Sequence, residues 1–167
     1  MDQTIGSNFL EFTRARLGSH LTLQIRTCLD AISDEMIWWR ANEQSNAIGN
    51  LVLHCAGSTR HHIGHIVGGR SYIRNRDSEF KERRQIPKNE LIRQLNQAVT
   101  EADIVLQECD PEQLLNQATR SEHPLTLMQV IGHQLIHYSN HTGQIVFATK
   151  MLKANAIEDI WRNTIIS

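Results

Sequence analysis

Histidines recur at every fourth position in the run His133-x3-His137-x3-His141. On an α-helix a step of four residues turns only ~40° and rises ~6 Å, so two imidazoles at that spacing can present nitrogens to one cation. Two nitrogens do not close a site. A third ligand must come from another element, and the chain offers a second histidine-rich stretch, His54 followed by His61, His62 and His65. Two histidine-bearing helices facing each other would make a metal centre inside a helical bundle. Three neutral nitrogens suit a borderline divalent cation such as Zn, Ni, Co or Fe(II) and leave coordination positions for water or substrate.

The stripe Val130, Gln134, His137, His141, Ile145, Ala148 and Leu152 reads as the inward face of its helix and passes through two of the histidines. A neutral imidazole facing a core needs a partner for each nitrogen; a metal would satisfy one and an acceptor behind the ring the other. The alternative is a pair of hydrogen-bonded core histidines. His133 extends the ladder but ends about 80° from His141, so it belongs at a pocket rim or behind the ligands. His61 and His65 form an equivalent pair, and spacing does not choose between the two pairs. His54 lies about 10 Å along the axis from His61, too far to share an ion with it, though it can meet an opposing helix. His62 is expected to point away from this stripe, and His20 and His123 to be surface or loop residues. Tyr138 and Ser139 stand where a His-Glu-x-x-His protease carries its glutamate, so zinc-protease chemistry is disfavoured.

The elements that must position these rings are helical, because period-3.6 patterns recur and no hairpin signal appears between alternating runs. The first helix is expected from about Asn8 to Ile32, with Leu10, Thr13, Leu17, Leu21, Gln24 or Ile25, Cys28 and Ile32 inward. Met36 to Arg40 reads as a short turn whose indoles cap the core. A second helix begins near Ser45 or Asn46 and runs to Gly68-Gly69, its stripe Ala47, Leu51, His54, Ser58, His61, His65 turning from apolar to polar toward a pocket. Residues 70–86 are too charged and irregular for core and read as a long crossover. The third helix follows Pro87 with Leu91, Leu95, Ala98, Ala102 and Val105 inward and ends near Cys109. Asp110-Pro111 opens a one-turn element, and Asn116 to His123 is loop. The fourth helix starts with Thr126 and Gln129 in capping-box relation and continues to about Ala154. Gly132 and Gly143 inside it are read as packing positions, and Ala156 to Ser167, with Trp161, as a tail across the bundle or a partner. The expected fold is thus all-α, a four-helix bundle with a long crossover between helices 2 and 3 and short extra helical segments, in one domain over residues 1–167.

At 167 residues such a domain buries enough core to need no structural metal, so a metal would serve function. The 17 basic and 18 acidic side chains nearly cancel, leaving no field to attract nucleic acid or an anionic membrane. Cys28, Cys55 and Cys109 are odd in number and far apart, which fits reduced, mostly buried thiols in a cytoplasmic protein. The start MDQTIGSNFLEF lacks the basic and apolar regions of a signal peptide, and no stretch approaches the ~20 apolar residues of a membrane span.

The strings GNLVLHCAGSTRHHIGHIVGG, RDSEF and HYSNHTGQIVFATK, in this order and separation, resemble a bacterial branch of the DinB-like (damage-inducible) superfamily, related to bacillithiol transferases and mycothiol-dependent maleylpyruvate isomerase. The resemblance covers nearly the whole chain. It implies a four-helix bundle, a homodimer, and a three-histidine metal site whose ligands fall on His54, His137 and His141. His61, His65 and His133 then become pocket or supporting residues. The sequence departs from the pattern at Thr142, where a basic residue is usual, and at Cys55, where an apolar one is. The implied activity is that of a thiol (S-)transferase in detoxification or stress response. It would use a divalent metal, Zn or Ni first and Fe, Co or Mn next, with a low-molecular-weight thiol as cosubstrate and a small-molecule substrate. Tyr138 or His133 would orient the other reactant. The competing readings are a metal-dependent hydrolase and a non-catalytic, dimeric metal- or small-ligand-binding stress protein.

Overall fold

The computed structural model describes residues 4–157; most of the tail expected to pack across the bundle, including Trp161, lies outside them. The described residues form an all-α fold of four long rods with no strand among them.

The first rod starts earlier than expected because Thr4 caps it, its hydroxyl accepting from the Ser7 amide at 3.1 Å. It runs as α1 (Ile5–Ala15), a π-helical segment (Arg16–Leu21) and α2 (Thr22–Ala31). In the wider π turn His20 Nδ1 donates to the Ala15 carbonyl and Thr22 Oγ1 to that of Leu17, each five residues back. The expected inward stripe from Leu10 to Ile32 is buried throughout. A short α3 (Asp34–Ile37) follows. Only one of its two following indoles caps the core. Trp38 packs on Gly49 and donates Nε1–H to the Ile86 carbonyl at 3.0 Å, whereas Trp39 is half exposed.

The second rod begins at Ile48, after the expected Ser45 or Asn46, because Asn50 Oδ1 accepts from the Ala47 amide and ties down the first turn. It comprises α4 (Ile48–Thr59) and a second π-helical segment (Arg60–Val67). Gly69, at φ 66°, ends it in a left-handed conformation that favours glycine. The crossover holds α5 (Arg76–Lys81), whose N-cap Asn75 accepts from the Ser78 amide. The third rod, α6 (Lys88–Glu108), follows Pro87 and buries all five expected residues. A single 3-10 turn (Pro111–Gln113) and a loop lead to α7 (Leu127–Leu152), whose start is the expected reciprocal cap between Thr126 and Gln129.

Packing decides which faces meet. α4 lies against α6, α5 and α7, while α2 lies against α7 and α6, so the central rods share one apolar cluster that includes Ile25, Cys55, Leu95, Ile131 and Ile145. Gly132 and Gly143 do not serve packing among the described residues: a Cβ at either would meet none of them within 4 Å. No described helix is long and apolar enough to cross a membrane.

Candidate metal centre

α4 and α7 face each other across the polar end of the core, and this contact assembles the site. His54, two turns into α4, is only 2 % exposed; His137 and His141, one turn apart on α7, are half-buried. His54 Nε2 stands 2.9 Å from His137 Nε2, which stands 3.2 Å from His141 Nε2. One ligand atom from each of the three residues lies within 4.8 Å of the others, so the three histidines are close enough to bind a metal ion. Nitrogens held ~2.0–2.1 Å from one ion at ~90–110° would be about 2.9–3.4 Å apart. The two separations through His137 fall in that range, and the third edge, His54 to His141, is longer, the three ligand atoms lying within 4.8 Å of one another.

The partners at each Nδ1 set the tautomer of its ring, and at His54 the carboxylate at 2.7 Å outweighs Arg74 Nη2 at 3.1 Å. His54 Nδ1 donates to Glu79 Oε2 at 2.7 Å. His137 Nδ1 lies 3.2 Å from Ser58 Oγ, whose own proton goes to Gln134 Oε1 at 2.7 Å, so the hydroxyl accepts from the ring. His141 Nδ1 donates to Gln144 Oε1 at 2.8 Å. With each Nδ1 proton directed at an acceptor, each Nε2 keeps a lone pair on the side where the three rings approach one another. Burial pushes His137 down to about 3, with His141 and His54 adding to the effect, so it does not supply a cation of its own. Burial likewise lowers His141, reinforced by His54 and opposed by Gln144. Converging lone pairs on neutral rings are a donor set for a divalent cation.

Glu79 is the residue that sequence reasoning missed. The crossover read as solvated, yet Glu79 on α5 is 8 % exposed and the Phe80 ring lies 4.4 Å from that of His54. Arg74 clamps the carboxylate through two bonds of 2.9 Å, from Nε to Oε1 and from Nη2 to Oε2. Burial pushes the Glu79 carboxyl up, but the hydrogen bonds from His54 and Arg74 and the charge of Arg74 outweigh it and hold the carboxyl below its ordinary range. Arg74 supplies the countercharge to this carboxylate. Space for the carboxylate comes from Gly57, where a Cβ would collide with Glu79. The one trace in the sequence was RDSEF itself, which carries both Glu79 and Phe80.

Residues 4–163 match the model of a family described as a protein of unknown function, DUF1572. The chain belongs to the DUF1572 family. No curated protein matches it.

The remaining histidines of this DUF1572 chain share no convergence point with the three. His61, His62, His65 and His133 line a neighbouring cavity of about 480 Å³. His62 departs from expectation: it does not point away. The π-helical segment beginning at Arg60 changes the rotation per residue, bringing its ring 5.5 Å from His133 and 6.5 Å from His137. Its Nδ1 donates to the Ser58 carbonyl at 3.0 Å, and His65 Nδ1 donates to the Arg70 carbonyl at 2.8 Å. His123 sits in the loop as expected but also lines this cavity. Tyr138 cannot orient a reactant. One residue on from His137, it turns into the core, is fully buried and pairs with Thr22 Oγ1 at 2.7 Å. Thr142 and Cys55 are buried too; Cys109 alone of the thiols is partly exposed. A larger depression of about 830 Å³ lies between the first and third rods, but its Arg14 is committed to Asp103 and it contains no histidine.

Proposed function

We propose that this protein is a metal-dependent enzyme in which His54, His137 and His141 hold a divalent cation, Zn or Ni before Fe, Co or Mn, with positions left for a reactant. The observation that carries the reading is the shared pattern of the three rings, each with Nδ1 donating to an acceptor and Nε2 aimed at its neighbours. Bound there, the ion would act as a Lewis acid that lowers the pKa of a thiol or water. The chain's own residues do the positioning. Glu79, gripped by Arg74, fixes the tautomer and orientation of His54, and Ser58 and Gln144 do the same for the rings on α7. The exposure of His137 and His141 leaves the site approachable from outside the core.

Within that class we favour S-transfer from a low-molecular-weight thiol to a small electrophile, in detoxification or stress response. Its support is the resemblance to the DinB-like superfamily, in which the ligand positions correspond to the three histidines. A cytoplasmic homodimer belongs to the same proposal. A hydrolase would use the same ligands with a different nucleophile. Elemental analysis of protein purified without a histidine tag, followed by thiol-conjugation assays on wild type and His137→Ala, tests the reading. Bound divalent metal and thiol-dependent turnover should be lost together in the variant. Turnover without added thiol points to hydrolysis instead. Metal retained in both His54→Ala and the double His137→Ala, His141→Ala protein overturns the ligand assignment.

A further inference from the structure

The cavity beside the three histidines is built from the π-helical end of the second rod, the crossover, the loop before α7 and the first turns of α7 itself. It shares Arg74 with the His54–Glu79 clamp, and its His62 and His133 rings lie 6.5 and 6.2 Å from that of His137. A molecule filling it therefore sits within one side-chain layer of the proposed ion. At about 480 Å³ the space is in the range of small-molecule sites, roughly 300–1,000 Å³.

Its wall has a definite chemistry. Arg120 has no hydrogen-bond or ion-pair acceptor among the described residues, and its guanidinium lies flat on Gly69. A Cβ on Gly69 would come within 3.1 Å of that group, so the left-handed glycine ending the second rod also forms the platform for this fork. Arg74 spends Nε and Nη2 on Glu79, leaving Nη1 without an acceptor among the described residues. Arg120 is exposed, as is Glu122, the one carboxylate among the described lining residues. Opposite in character, His62 and His65 have their Nδ1 protons committed to backbone carbonyls, so each keeps an Nε2 lone pair as an acceptor. Guanidinium donors and imidazole acceptors on one lining complement a ligand carrying both an acid group and hydroxyl or amine protons.

We infer that this cavity is the substrate pocket and takes a small hydroxy acid or amino acid, its carboxylate pairing with Arg120 and its O–H or N–H donors meeting His62 and His65. The inference rests on the metal reading for its catalytic meaning, though not for binding itself. The test follows the histidine ring signals by NMR in zinc-loaded protein titrated with 3-hydroxybutyrate, butyrate, 1,3-butanediol and inorganic phosphate. The hydroxy acid should shift the His62 and His65 signals saturably and bind more tightly than the other three probes. Arg120→Gln should weaken it by about tenfold, the scale of one lost hydrogen bond to a charged group, while zinc content stays at the wild-type level. Equal affinity in wild type and Arg120→Gln, or tighter binding of phosphate than of the hydroxy acid, overturns the inference. If wild type retains no zinc, the metal reading fails while the same titration on metal-free protein still decides the pocket.

Discussion

Two groups of histidines lie side by side in this bundle and differ in what stands behind them. His54, His137 and His141 are each held at Nδ1 by a carboxylate, a hydroxyl or an amide oxygen, and their Nε2 atoms converge. His61 and His65 repeat the same i, i+4 spacing, yet their rings stack with centroids 6.0 Å apart and the Nδ1 of His65 goes to a backbone carbonyl. His61 Nδ1 is buried with no hydrogen-bond partner among the described residues. Equal spacing thus produced one donor set and one pocket wall. A ligand is made by the acceptor behind the ring and by an opposing element in front of it, and spacing along one helix supplies neither.

The sharpest way to break this contrast is alanine substitution in both groups. His54→Ala should lower metal affinity by more than about 100-fold, beyond the ~10–100-fold typical of changes behind the ligands. His61→Ala and His65→Ala should leave it within a few-fold of wild type by competitive chelator titration. Equal losses in the two groups would erase the distinction. Next in size, Glu79→Gln should lower metal affinity by ~10–100-fold while the ligands remain, because the neutral amide fixes His54 less firmly and leaves Arg74 unpaired. Unchanged affinity would mean that the crossover carboxylate does not support the site.

Acid provides a third probe. His137 and His62 have folded-state pKa values lowered to about 3 and about 4, from 6.5, with burial the first cause in each. Between those values and 6.5 the unfolded chain binds more protons, so metal-free protein should be most stable above pH 6.5 and lose stability as pH falls toward 3 to 4. Thermal unfolding of the metal-free protein checks the sign; greater stability at pH 5 than at pH 7.5 would contradict the burial of these rings. The smallest effect concerns the outer face of α7. Gly132→Ala places its Cβ in open space, so it should gain up to ~1 kcal/mol of helix stability, a rise of ~2–4 °C in Tm, with metal affinity unmoved.

Much of the frame was legible because its signals are local. The stripe from Leu10 to Ile32, the five inward residues of α6 and the reciprocal cap of Thr126 with Gln129 depend on periodicity and neighbouring side chains. The errors cluster where a distant contact prevails. Glu79 looked like one more charge in RSYIRNRDSEFKERRQI, yet it is buried because Arg74 neutralises it, His54 donates to it and Gly57 makes room. Tyr138 looked available beside His137 until its hydroxyl met Thr22 on the first rod. Ideal helical steps turn His62 away from the site, but the second rod widens at Arg60 and brings it back.

The residue order alone determined the helical class, the rods' inward faces and the capacity of α7 to offer two imidazoles to one point, since these follow from steps of ~100° and ~1.5 Å per residue. Resemblance to other chains supplied the third histidine. The choice of donor atom came only with the packed bundle: which nitrogen keeps its proton depends on Glu79, Ser58 and Gln144, and two of these reach their rings from other elements. A lone pair is directed by what its ring touches on the far side, and for His54 and His137 that neighbour is chosen by folding.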